Sequence, residues 1–228
     1  YQTAYLKTNF PYEFMTTCLN YSIDRTDRII LLKKELNKLN INLKRPDINF
    51  SKKNFSIENI ENSKSIRFAL GAIKGVGLSS MKNLVTERDK KGKFIDIIDF
   101  MSRLKGDVIN KRQIEKLIQS GSFDSISKNR AKLFKNVVKF VDLFGGELKN
   151  KNQELLFVDN EIRFDDKNLF YQDVDNWNSS QLLKNELEVI GFYFSDHPLY
   201  HYPKDFFTKY SIIDFKDLYE FLLPGFML

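Results

Sequence analysis

Cysteine is nearly absent: Cys18 stands alone among 228 residues. A single thiol excludes any intramolecular disulfide and fits a reducing cytoplasm. It follows Met15-Thr-Thr in a predicted helix and reads as a small buried hydrophobe rather than a reactive group. Histidine is almost as scarce. His197 and His201 have no cysteine or carboxylate at a metal-binding spacing, and His197, just before Pro198, reads as a turn residue. No apolar run approaches the roughly 20 residues of a membrane span, and no signal pattern opens the chain. Also missing is a carboxylate cluster of the kind that holds two catalytic metal ions. Asp165-Asp166 and Asp173-x-Asp175 lie in a polar, aperiodic stretch and read as solvated loop.

What is present suits a globular protein. Hydrophobic residues make up 42% of the chain, and 21 phenylalanines supply much of the core volume. The net charge of +6 is modest, but its distribution is uneven. Residues 1–63 carry 10 Lys/Arg against 7 Asp/Glu, residues 64–140 carry 18 against 7, and residues 141–228 carry 8 against 16. A basic middle block of this kind favours a polyanionic partner, although a solvated lysine-rich surface has the same composition.

The basic block opens on Leu70-Gly-Ala-Ile-Lys-Gly-Val-Gly-Leu-Ser-Ser-Met-Lys-Asn-Leu-Val85. Gly75 and Gly77 can take positive φ. Val76 between them can plug the gap between two short helices, and Met81, Leu84 and Val85 mark the buried face of the second. That is the pattern of a helix-hairpin-helix, which binds the DNA backbone without reading sequence. The N–H groups of Gly77, Leu78 and Ser79 would stand at a helix N-terminus, where a phosphate is favoured. Lys74 and Lys82 add charge. A weaker echo follows: a helix carrying Ile114, Leu117 and Ile118, the hairpin Gly121-Ser122-Phe123, then a helix predicted from near Ser127. That last helix carries Ala131, Phe134, Val137, Val138 and Val141. Lys128, Arg130, Lys132 and Lys135 crowd the helix after this second hairpin, and Lys111, Arg112, Lys128 and Arg130 join Lys74 and Lys82 as candidate phosphate contacts. An ordinary helix-turn-helix packing unit explains the echo as well.

Around this centre the chain is predicted to be mainly α. Residues 1–40 read as helical. Pro11 suits a first helical turn. Ile29, Leu32, Leu36 and Leu39 fall on one helical face, with Asp24 as a candidate N-cap. Residues 40–54 lose periodicity. Phe55-Ser-Ile57 and Ile66-Arg-Phe68 alternate and predict a small β-hairpin across a polar turn. Phe94, Ile97, Ile98, Met101 and Leu104 mark a further amphipathic helix. Gly145-Gly146 opens a polar linker to about Trp177, and a helix is predicted over 181–194.

Four stretches, in order, resemble one family: the alpha subunit of bacterial replicative DNA polymerase III, of the C family of polymerases. They are Tyr1-Gln-Thr-Ala-Tyr-Leu-Lys7 with Pro11-Tyr-Glu-Phe-Met15, Ile66 to Gly77, Asn110 to Asp124, and Glu186 to Leu199. The resemblance implies an internal segment of a longer polypeptide. Residues 1–69 would be the end of a helical fingers domain and 70–144 a tandem helix-hairpin-helix domain. Residues 145–177 would be a linker, and 178–228 a helix leading to an oligonucleotide-binding domain. It implies a part in template-directed DNA synthesis, with the catalytic carboxylates and their Mg2+ elsewhere in the full-length polymerase. Its partners would be primer-template DNA, the beta sliding clamp and other replicase subunits, with no membrane. Within the linker, Gln153-Glu-Leu-Leu-Phe157 is similar to the family's clamp-binding motif. Gln153 would make hydrogen bonds while Leu156 and Phe157 fill an apolar groove. Two other readings share these residues: a non-catalytic repair or recombination adaptor with the same hairpin, and a purely structural helical domain.

Overall fold

The computed structural model describes residues 1–60, 63–104, 108–144, 172–196 and 198. The chain divides into two compact units, Tyr1–Phe194 and Ser195–Leu228, and every element below lies in the first. Residues 145–171, which include Gln153, Leu156, Phe157, Asp165 and Asp166, lie outside the described residues, as do His197 and His201.

Three helices open the fold. α1 spans Gln2–Asn9 and α2 spans Pro11–Tyr21, with Pro11 in the first turn, where no N–H is needed. α3 spans Thr26–Lys38. Its predicted face holds: Ile29 and Leu36 are buried, and Leu32 and Leu39 pack against the same core. It starts later than predicted and Asp24 does not cap it. The Arg25 N–H donates to Ser22 O at 2.9 Å, so a tight turn occupies residues 22–25.

The predicted β-hairpin forms. β2 (Ser56–Ile60) and β3 (Ser63–Arg67) pair antiparallel, with Ile57 opposite Ile66. A strand the sequence reading missed, β1 (Leu43–Lys44), adds to the other edge of β3 in parallel. Two residues are too few to show alternation. Beyond β3, Phe68 is fully buried and becomes an aromatic hub. Its ring meets Phe55, Phe192 and Phe194 edge-on at centroid distances of 5.0, 5.9 and 5.6 Å. Edge-to-face packing of this kind adds about 0.5–1.5 kcal/mol per pair beyond burial.

The remaining helices are α4 (Leu78–Lys91), α5 (Ile97–Arg103), α6 (Lys111–Gln119), α7 (Arg130–Phe144) and α8 (Ser179–Ile190). All but α4 start on side-chain caps. Asp96 accepts from the Asp99 N–H, Asn178 from the Gln181 N–H, and Asn110 and Gln113 form a reciprocal capping box. α7 begins at Arg130 rather than near Ser127, because Asn129 caps it by accepting from the Lys132 N–H. Val138, predicted on its apolar face, is 45% exposed; Ala131, Leu133, Val137 and Phe140 are buried apolar positions of this helix. A second aromatic line, Phe94–Phe100–Phe123, joins α5 to the turn after α6.

The end of the predicted linker is built against α7. Asn136 and Gln172 exchange two hydrogen bonds, the Asn129 amide donates to Val174 O, and the Trp177 ring packs edge-on to Phe134. α8 then packs beside α6 and ends at Gly191, whose left-handed conformation closes the helix. The fold is therefore mainly helical with one small sheet, as predicted.

Candidate nucleic-acid interface

The first hairpin has the predicted geometry with a shorter entry. A single 3-10 turn, Leu70–Ala72, replaces the first helix. Gly75 and Gly77 adopt φ of +84° and +73°, which L-residues rarely take. Val76 between them is fully buried, together with Ile73. The chain enters α4 through Gly77, which offers no side-chain cap, and the first turn of α4 carries no acidic residue. The positive end of the helix is thus left for an external acceptor. Gly75, Gly77 and Ser79 are exposed there, as are Lys74 and Lys82. Along α4, Met81 and Leu84 are buried and Val85 partly so, matching the predicted face.

Two residues absent from the predicted site hold this hairpin in place. Gln113 Nε2 donates to Val76 O at 2.6 Å and to Ser80 Oγ at 3.1 Å, while its Oε1 accepts from the Asn110 N–H. Gln113 therefore caps α6 and ties that helix start to the hairpin. Lys111 and Arg112, two and one residues before Gln113, are exposed in the first turn of α6, with Lys111 Nζ 3.8 Å from Glu115 Oε1. The second is Lys116, whose stem lies against Gly75: a Cβ there would sit 3.6 Å from Lys116 Cγ. The Asn110-x-x-Gln113 capping box is a legible sequence signal; its link to the hairpin is a tertiary fact.

α8 supports the hairpin from the other side. The Lys74 N–H donates to Val189 O at 2.9 Å. Lys116 Nζ lies 2.6 Å from Glu188 Oε1. Hydrogen bonding and charge from Lys116 hold the Glu188 carboxyl below its ordinary pKa, with smaller contributions from Lys184 and Lys74.

The second hairpin does not repeat this arrangement. Gly121 has φ +79°, but Gly121, Ser122 and Phe123 are all buried. The Gly121 N–H donates to Ile118 O, the Ser122 N–H donates to Leu117 O, and Ser122 O accepts from the Ile48 N–H. These groups are spent inside the protein and present no phosphate cradle. Arg130 is likewise no surface cation. It is 3% exposed, with Nη1 3.0 Å from Glu186 Oε1 and Nη2 2.5 Å from Asp124 Oδ2. Burial works against its charge, but hydrogen bonds and charge from Asp124 and Glu186 outweigh that and raise its pKa. A Cβ on Gly121 would collide with this guanidinium, so the glycine is kept by packing. Lys128, before α7, is exposed.

The basic block is also less available than its composition predicts. Arg88 is buried and donates to the carbonyls of Ile48 and Ser51. Arg67 pairs with Glu58 at 2.6 Å and Arg103 with Asp99 at 2.7 Å. Among the described residues no three His, Cys, Asp or Glu side chains converge as a metal site, and Asp173 lies 3.0 Å from Lys132. Burial raises the pKa of the partly buried Cys18 thiol. No helix among the described residues is long and apolar enough to cross a membrane.

Comparison with known proteins meets this geometry. Residues 40–133 match the family described as a helix-hairpin-helix motif, which takes in the sheet, both hairpins and α4 to α6. The DNA polymerase III subunit alpha of Caulobacter vibrioides is 35% identical over 202 residues, covering 87% of this chain and 17% of that protein. The subunit alpha of Borreliella burgdorferi is 35% identical over 218 residues, covering 93% and 19%. That of Neisseria meningitidis serogroup B is 36% identical over 205 residues, covering 90% and 18%. The chain spans under a fifth of the length of these relatives. It is homologous to a segment of the alpha subunit of DNA polymerase III, with a helix-hairpin-helix motif across its centre.

Proposed function

We propose that this segment grips duplex DNA by its phosphates, without reading bases, as part of a replicative polymerase. The observation that carries the proposal is the Gly75-Val76-Gly77 hairpin. A buried valine locks two positive-φ glycines so that they open onto an uncapped, acid-free helix start. Backbone N–H groups provide directional donors, and Lys74, Lys82, Lys111 and Arg112 provide charge. Contacts of this kind position DNA in any sequence, which suits an enzyme that moves along every template. Lys128 extends the basic surface. The homology supports placing the hairpin in a polymerase rather than in a repair adaptor.

Nucleotidyl transfer and its Mg2+ are proposed to belong to other parts of a longer polymerase chain, as the family resemblance implies. The Gln153, Leu156 and Phe157 motif is proposed to tether the polymerase to the sliding clamp. A tether raises effective concentration on DNA with no new active-site contact. Other replicase subunits would bind elsewhere on the full-length chain.

Fluorescence anisotropy with duplex DNA across a salt series tests the grip. Four neutralised phosphates give a log–log slope of roughly −3.6 and about 100-fold weaker binding at 200 mM than at 50 mM salt. Each single alanine at Lys74, Lys82, Lys111 or Arg112 lowers the slope by about 0.9. A flat salt response refutes the reading.

A further inference from the structure

We propose that Glu188 is a counter-charge built onto the rim of the hairpin, which holds Lys116 in the DNA-free state and releases it to a DNA phosphate on binding. This rests on the phosphate-grip reading of the same site. Lys116 is the cation whose stem lies against Gly75, yet its ammonium is 2.6 Å from Glu188 Oε1. The pair is lopsided: the Lys116 side chain is 19% exposed and that of Glu188 is 55% exposed. Glu188 can therefore swing into solvent while Lys116 stays beside the hairpin. α8 is fixed there independently of the pair, because Val189 O accepts the Lys74 N–H and Glu186 holds Arg130. The carboxylate is thus presented at the cradle by a helix anchored on both sides of it. Lys74 and Lys184 are the other cations that bear on it.

The exchange has a cost that sets the strength of the grip. A phosphate must compete with Glu188 for Lys116, and an exposed ion pair of this kind opposes binding only a few-fold. Such a counter-charge weakens static binding while leaving a cation at the hairpin during sliding, since Glu188 re-forms the pair as each phosphate leaves. It lies 55 residues beyond the end of the helix-hairpin-helix match at residue 133, so the motif alone does not contain it.

The test is duplex-DNA anisotropy on the full chain, comparing wild type, Glu188→Gln, Lys116→Met and the double variant. Glu188→Gln is expected to bind about three-fold tighter at fixed salt and to steepen the salt slope from roughly −3.6 to roughly −4.5. Adding Lys116→Met is expected to remove both gains. Glu13→Gln is the charge control: it frees Lys64 from a pair of the same 2.6 Å length on other elements, and no change in slope is expected. The inference is overturned by wild-type affinity and slope in Glu188→Gln, by a gain that survives Lys116→Met, or by an equal gain in Glu13→Gln. Wild-type binding with no salt dependence overturns the phosphate grip itself, a result distinct from these three.

Discussion

Replacing Arg130 by methionine separates structure from DNA contact at the second hairpin. The guanidinium is buried between Asp124 and Glu186, and Glu186 is fully buried. Removing it takes from the Glu186 carboxylate its hydrogen-bonded counter-charge, while the Phe194 N–H still donates to Oε2 at 3.0 Å and the Lys33 charge still bears on it. Asp124, 32% exposed, rehydrates at little cost. Breaking a buried pair from one side costs about 3–5 kcal/mol, against a total stability of about 5–15 kcal/mol for a typical domain. With a urea m-value of about 2–3 kcal/mol/M, the midpoint falls by more than about 1 M. Changing both partners, Arg130→Met with Glu186→Leu, removes the buried carboxylate as well and recovers most of the loss, less about 1 kcal/mol for the Phe194 hydrogen bond. The assay is urea unfolding by tryptophan fluorescence, with Trp177 as reporter, alongside duplex-DNA anisotropy. An unchanged midpoint together with weaker DNA binding refutes the structural assignment and returns Arg130 to the interface.

Three further outcomes follow from the same structure. Val76→Ala removes two buried methylene equivalents and leaves a cavity, so it costs about 2 kcal/mol and weakens DNA binding; unchanged stability in thermal unfolding counts against the plug. Glu58, held below its ordinary pKa by its hydrogen bond to Arg67 and partly buried, contributes stability at neutral pH. The unfolded chain takes up that proton first, so the contribution is lost as pH falls below about 4.3; Glu58→Gln flattens this part of the urea-midpoint profile, and an identical profile refutes it. Leu156→Ala with Phe157→Ala abolishes clamp binding in a calorimetric titration and leaves DNA affinity intact; loss of DNA affinity instead marks the segment as core.

Local chemistry in this chain was legible from sequence, and long-range pairing was not. Pro11, the Ile29–Leu36 spacing, the 57/66 alternation and the Gly75-Val76-Gly77 turn each depend on near neighbours. All appear where the residues place them. The echo at Gly121 is ambiguous in sequence because its pattern, a positive-φ glycine before a buried apolar residue, serves two ends. In the first hairpin the two glycines are exposed, and of its backbone N–H groups those of Lys74 and Val76 donate to Val189 O and Ile73 O. In the second those of Gly121 and Ser122 close onto Ile118 and Leu117, and the following arginine turns inward. The inward turn of Arg130 depends on Glu186, 56 residues further along the chain, which no local window contains. The same holds for Arg88, a charge by composition but a hydrogen-bond donor to two carbonyls of the 47–51 loop in the fold. Gln113 joins both kinds of information, as a capping residue readable from spacing and a brace on Val76 visible only in three dimensions.

The central claim is that the first hairpin faces the phosphates and the second does not. Backbone amide NMR shifts of the full chain, titrated with a short duplex of mixed sequence, test it most directly. The account predicts shifts at Gly75, Gly77, Leu78 and Ser79 that vanish at high salt, with Gly121 and Ser122 unmoved. Shifts centred on Gly121 and Ser122, or none at Gly75 and Gly77 while DNA is bound, contradict it.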